Sequence, residues 1–271
     1  MERQIRIPAG QVQLAGTLHA PEGKNRHPVP LIIICHGFIG SRIGVNRLFV
    51  QAAREFAANG CMVLRFDYGG CGESTGQYGD QRFEELIRQT VHVIRYAENL
   101  KGVDPAQLIL IGHSLGGAVA TYAAAREKHI NHLILWAPVA YPYSDILRIV
   151  GDGVYRQAKE NRYADYQGYL FSSHFFDSME GFYPLKEIGS FAGDVLIIHG
   201  SDDEVIPSKY CIYYQKASLL RDRGTAAKEI ILGADHTFSN AAHKEKLFSS
   251  TVKWIAERVH PVRSAGMQAR S

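Results

Sequence analysis

Leu31-Ile32-Ile33-Ile34-Cys35 is an unbroken apolar run. It is too short to stand as a helix and apolar on both of its alternating faces. Such a run has to be a strand with other structure packed above and below it. Further strand-length runs follow at Cys61–Phe66, Gln107–Ile111, His132–Trp136 and Val195–His199, with a last strand at Lys228–Leu232. Between and after them lie helical patterns. These are Arg47–Asn59 with Gly60 as its stop, the amphipathic Phe83–Leu100, the alanine-rich stretch after Ser114, Ser208–Leu220 and Lys244–Arg258. Strand followed by helix, repeated, predicts an α/β fold: a mostly parallel central sheet with helices on both faces.

Two regions depart from that rhythm. Gln4-Ile5-Arg6-Ile7 and Gln11–His19 alternate polar and apolar residues, and both read as antiparallel edge strands. Residues 139–191 have irregular periodicity and hold seven tyrosines and five phenylalanines, 12 of the 28 aromatic residues in about a fifth of the chain. No linker separates two independent folds, so residues 1–271 read as one domain and 139–191 as a small inserted cap. The polar tail from Pro261 to Ser271 is expected to fray.

Of the 271 residues, 46% are hydrophobic and 21% charged, with a net charge of +3 and no basic cluster, which argues against nucleic acid as the partner. The apolar runs fall far short of the roughly 20 residues a membrane helix needs. Met1–Ile7 lacks the apolar core of a signal peptide, so a cytoplasmic protein is expected. Cys35, Cys61, Cys71 and Cys211 show no metal-ligand spacing and are expected to be reduced; Cys35 and Cys61 fall in apolar strands and read as small core residues, and no metal is expected. An edge strand or the inserted cap could support a homodimer.

The chemistry is concentrated in Gly112-His113-Ser114-Leu115-Gly116, which follows the run ending at Ile111 and opens an alanine-rich helix. Strand, sharp turn and helix make the context of a nucleophile elbow, which raises a serine hydroxyl above the sheet. A serine attacks only when a base takes its proton and donors stabilise the oxyanion. Twelve histidines compete for the base. His236 directly follows the last strand and precedes the last helix, completing the order serine, acid, histidine. His199 stands before Gly200 and reads as packed, His243 as facing solvent, and His113 as support for the elbow. The acid lies among Asp202, Asp203 and Glu204; spacing to Pro207 favours Asp203 over Asp202, and Asp235 adjoins the histidine too closely to orient it. Backbone N–H groups of Leu115 and of Phe38, in His36-Gly37-Phe38-Ile39-Gly40, are the expected oxyanion donors.

With His36-Gly37-Phe38, the stretch Arg65-Phe66-Asp67-Tyr68-Gly69-Gly70-Cys71-Gly72-Glu73-Ser74-Thr75-Gly76, Gly112–Gly117 and Gly233-Ala234-Asp235-His236, the chain resembles the α/β-hydrolases over essentially its whole length. Within them it is similar to bacterial feruloyl and cinnamoyl esterases. Cys71 stands where a histidine is common, and Thr75 replaces the third glycine of a dinucleotide fingerprint, which disfavours a redox enzyme. The resemblance implies a serine esterase, without metal or organic cofactor, cleaving a small-molecule ester through an acyl-enzyme. It also implies that the cap binds the acyl group, with Asp145 and Tyr169 at ring-recognition positions; Val139 and Tyr141, just past the strand ending at Trp136, are further candidates. The cap's aromatics either line that pocket or form the cap's own core. Monoacylglycerol lipase, thioesterase and serine aminopeptidase share the same triad, and a non-catalytic relative of the fold is disfavoured by an intact one.

Overall fold

In the computed structural model, which describes residues 1–23 and 28–259, the N-terminal alternation forms a hairpin of β1 (Glu2–Ala9) and β2 (Val12–His19). The apolar runs become β3 (Val29–Cys35), β4 (Met62–Phe66), β5 (Val103–His113) and β6 (His132–Trp136). A separate ribbon of β7 (Tyr163–Tyr166) and β8 (Tyr169–Ser172) precedes β9 (Asp194–Gly200) and β10 (Ala226–Ile231). Eight strands make one sheet in the order β1-β2-β4-β3-β5-β6-β9-β10. Its neighbours from β4 to β10 run parallel, while β2 meets β1 and β4 antiparallel.

Alternation within each strand divides the core. Leu31, Ile33, Leu108, Leu110, Leu133 and Leu135 point to one face, Ile32, Ile34, Ile109, Ile111 and Ile134 to the other. On the second face lies α1 (Leu48–Ala58); on the first lie α2 (Phe83–Glu98) and α3 (Leu115–Arg126). Between β6 and β9 the chain forms α4 (Pro142–Val150), α5 (Asp152–Asn161), the β7–β8 ribbon, α6 (Ser173–Asp177) and α7 (Pro184–Glu187). Then α8 (Tyr210–Leu219) returns to the first face and α9 (Ala241–Arg258) to the second. Both faces of the sheet are thus covered, as its doubly apolar strands require.

One sequence expectation is corrected. Of these two strands only β1 takes a sheet edge; β2 lies between β1 and β4, and its residues from Leu14 to His19 are buried. The hairpin folds back so that Gly16 pairs with Phe66, which gives β2 a neighbour on each side.

Three hydrogen bonds tie the segment between β6 and β9 to the stretch before α2 and to α2 and α3. Ser172 Oγ donates to Gly79 O at 3.1 Å, Phe83 N to Ser178 Oγ at 2.8 Å, and Tyr183 N to Tyr122 Oη at 2.7 Å. A Cβ on Gly79 would collide with the Leu170 carbonyl, so only glycine lets β8 approach there. Phe171, Phe175 and Phe176 are buried beneath this junction.

All four cysteines are free and buried. Among the described residues no group of side chains could hold a metal ion, and no helix is long and apolar enough to cross a membrane. The tail from Pro261 to Ser271 lies outside the described residues.

Candidate active site

Strand β5 ends at His113, and α3 starts at Leu115, so Ser114 alone makes the turn, at φ 57° and ψ −124°. A non-glycine residue held there stores about 1–3 kcal/mol of strain. The surroundings over-determine it: Ser114 N donates to Trp136 O at 3.0 Å, and its carbonyl accepts from Gly117 N at 2.9 Å and Val139 N at 3.1 Å. A Cβ on Gly112 would clash with the Gly116 carbonyl, and one on Gly116 with the carbonyls of Cys35 and His36. The flanking glycines therefore let α3 start directly on the strand ends.

His236 stands in the loop between β10 and α9, where its Nδ1 donates to Asp203 Oδ2 at 2.7 Å. The Asp203 side chain is fully buried in the loop after β9, and its Oδ1 accepts from Val205 N at 2.9 Å and Ile206 N at 2.7 Å. His113 Nε2 donates to the His236 carbonyl at 2.9 Å, and the two rings lie 4.9 Å apart. Ser114 and His236 face one cavity; Ser114 Oγ has no hydrogen-bond partner among the described residues. Bonds of this kind commonly tighten only when substrate is bound.

The loop after β3 passes over the serine. A Cβ on Gly37 would lie 3.0 Å from Ser114 Cβ, so a side chain there would crowd the hydroxyl. His36 Nδ1 donates to Gly37 O at 2.8 Å while its Nε2 accepts from Tyr68 N at 3.0 Å, which sets the tautomer of this buried ring. The Phe38 and Leu115 amides have no acceptor among the described residues. From below, buried Asp67 accepts from Arg42 N at 2.5 Å, from the Arg42 guanidinium and from Glu73 N at 3.0 Å, tying the loop to the end of β4. Gly72 sits at φ 52° with its Cα against the Asp67 carboxylate, where no side chain fits.

The cavity holds about 180 Å³. Phe38, Ile39, Leu48, Phe49, Ile149 and Tyr166 supply most of its apolar wall, Val45 and Val205 lie at its edge, and Gln167 and Thr237 add polar groups. Among the described residues, no aspartate, glutamate, lysine or arginine lines it.

A family model described as serine aminopeptidase, S33, matches residues 26–163, about half of the chain. The chain belongs to this hydrolase family. The chain is 35% identical over 134 residues to a 31.7 kDa Escherichia coli protein encoded between traX and finO, covering 49% of this chain and 44% of that one. It is 30% identical over 194 residues to the lysophosphatidylserine lipase ABHD12 of Xenopus tropicalis, covering 66% of this chain and 44% of that one. The chain therefore spans less than half the length of either relative. Est1E of Butyrivibrio proteoclasticus, solved with ferulic acid bound, superposes with a TM-score of 0.79 at 23% identity over 94% of this chain and 99% of that one. That likeness establishes the α/β-hydrolase fold.

The residues expected to form an acyl pocket lie outside the lining of this cavity. Val139 is fully buried and its carbonyl accepts from Tyr214 Oη at 2.7 Å. Asp145 is buried at the start of α4, with Oδ2 accepting from Tyr141 N at 3.1 Å and Oδ1 from Tyr210 Oη at 3.0 Å. Tyr141 packs edge-on against Tyr210, and Tyr169 packs against Tyr78 and Phe171. None of the four lines the cavity at Ser114. Instead Tyr166 and Ile149 reach it, and the Phe38 ring packs at 5.3–6.2 Å against Tyr78, Tyr166, Phe171 and Phe175. Most of the segment's phenylalanines are thus core.

Asp202 accepts from Ser201 Oγ and Asp235 from Ser239, so both serve their own turns, while Asp203 meets His236. His199 is packed as expected, and it also contacts the acid, with Nε2 3.0 Å from Asp203 Oδ2. Burial alone would raise the Asp203 pKa; hydrogen bonds from His199 and His236 outweigh it and hold the carboxyl well below the usual carboxylate range. Burial, aided by neighbouring His236, lowers His113 to about 3, so this ring stays neutral.

Proposed function

We propose that the protein is a carboxylic ester hydrolase that works through an acyl-enzyme on short or aryl acyl groups without charge. The observation that carries this reading is the uncharged, largely apolar wall beside Ser114. An aminopeptidase needs an acidic side chain to hold its substrate's free ammonium group, because an unpaired charge is costly to bury. The carboxylate beside His236, on Asp203, is fully buried and already accepts from two histidines and two amides. A neutral acyl chain meets no such obstacle. The rings of Phe38, Phe49 and Tyr166 suit an aryl group, and Gln167 and Thr237 offer hydrogen bonds to ring substituents, which keeps hydroxycinnamoyl esters within the class.

Ser114 Oγ attacks the ester carbonyl as His236 Nε2 takes its proton. Asp203 holds the opposite nitrogen and stabilises the imidazolium that forms. The N–H groups of Phe38 and Leu115 receive the oxyanion. As the carbon–oxygen bond to the alcohol breaks, His236 returns the proton to the departing oxygen. Water, deprotonated by His236, then attacks the acyl carbonyl; as the acyl–Oγ bond breaks, His236 returns that proton to Ser114 Oγ and the acid is released.

Initial rates on p-nitrophenyl acetate, butyrate and octanoate, methyl ferulate and alanine p-nitroanilide test this reading. The short and aryl esters should be hydrolysed, octanoate more slowly, and the anilide left intact. Ser114→Ala should lose a factor of about 10³ or more in kcat. Faster turnover of the anilide than of any ester, or full activity in Ser114→Ala, would overturn it.

A further inference from the structure

We infer that His199 is a positioning residue for the reaction, holding Asp203 from the side opposite His236; this rests on the ester-hydrolase reading of Ser114, Asp203 and His236. His199 closes β9 just before Gly200, and its side chain is fully buried. Its Nε2 lies 3.0 Å from Asp203 Oδ2 and 3.1 Å from the Ile206 carbonyl. Both partners are acceptors, so Nε2 carries a hydrogen and shares it between them. Asp203 Oδ2 therefore accepts from two imidazoles, and Oδ1 accepts from the amides of Val205 and Ile206. Four donors fix the carboxylate plane, and that plane sets the orientation of the His236 ring.

The other ring nitrogen shows that packing does not account for this histidine. His199 Nδ1 is buried without a hydrogen-bond partner among the described residues. A buried polar atom left unpaired costs about 1–3 kcal/mol, which leucine in the same space would avoid. The polar contacts that offset this cost are those to Asp203 and to the loop carrying it. When His236 accepts the serine proton, its pull on Oδ2 strengthens, and His199 keeps that oxygen from swinging out of line. Nearby, His113 contacts the His236 carbonyl, and the Arg148 guanidinium donates to Val205 O at 2.7 Å. Neither donates to Asp203.

His199→Leu fills the space without a donor, whereas His199→Gln restores an N–H near the position of Nε2. The Leu variant should lose a factor of about 10 to 100 in kcat on p-nitrophenyl butyrate with KM unchanged, as misplacement of a reacting group does. Its labelling by a fluorophosphonate should slow in parallel, and the Gln variant should recover most of the rate. A mere brace would lower the melting temperature of both variants and leave kcat alone. In wild-type protein, the His199 Nε2–H proton resonance should shift when Ser114 is phosphonylated and His236 becomes charged, a readout that needs no variant to fold. Wild-type kcat in folded His199→Leu, or an unmoved resonance, overturns the inference alone. Wild-type protein that neither hydrolyses esters nor labels overturns the ester-hydrolase reading and this inference with it.

Discussion

Ser114 holds a backbone conformation that favours glycine, and the strain should be measurable apart from the chemistry. Ser114→Gly should melt as though about 1 kcal/mol more stable than Ser114→Ala, both being inactive, because only glycine relaxes at φ 57°. Chemical denaturation of the two variants side by side checks this. The choice between neighbouring acids is equally testable: Asp203→Asn should cost about 10³–10⁴ in kcat, by loss of the correct imidazole tautomer. Asp202→Asn, whose carboxylate contacts only its own turn, should leave kcat within about twofold, as surface changes do. Ser114, Asp203 and His236 were legible in the sequence because each sits where a strand stops, and a strand's end is a local signal. The contact from His199 to Asp203 was not, since it depends on the loop folding back over four residues to present one oxygen to two rings.

Among the elements, α3 shows how little room the elbow allows. A methyl group at residue 116 would run into the backbone of Cys35 and His36, which cannot yield without moving β3. Gly116→Ala should therefore destabilise the fold by about 1–3 kcal/mol, or displace α3 and lower kcat as well; thermal melting and esterase rates read both. The central strands were legible to within a few residues because burial on both faces leaves a run that no other element produces. The place of β2 was hidden, since alternation shows that one face is buried but not that a second strand will pair along its free edge. The pocket wall was hidden for a similar reason. Tyr166 and Tyr169 close the same short ribbon, yet only Tyr166 reaches the cavity, and the turn that decides between them leaves no periodic trace.

Across the whole molecule, buried histidines set the response to acid. Burial, with Arg65 adding to it, lowers His19 to about 4, and burial with His236 lowers His113 to about 3. Unfolded, both rings bind protons near pH 6.5. Between those values the unfolded chain holds more protons than the folded one, so stability rises with pH there and is flat above. The melting temperature should fall steadily from pH 6.5 towards pH 4. His19 Nε2 accepts from Arg65 Nε at 3.0 Å, so His19→Gln, which keeps an acceptor but cannot titrate, should flatten that slope.

The hydrogen bonds that tie the β6–β9 segment to Gly79, Phe83 and Tyr122 carry a consequence for traffic. A roof fastened at Gly79, Phe83 and Tyr122 cannot double as the door. Entry is then expected past the loop after β3, where Val45 lines the cavity, Ile43 and Val45 stand about half exposed, and Gly44, Asn46 and Arg47 all have positive φ. Widening the roof should then do little for bulky esters. Val45→Trp, which narrows that passage, should raise KM for p-nitrophenyl octanoate several-fold more than for acetate, and paired steady-state assays would show whether substrates enter by that route.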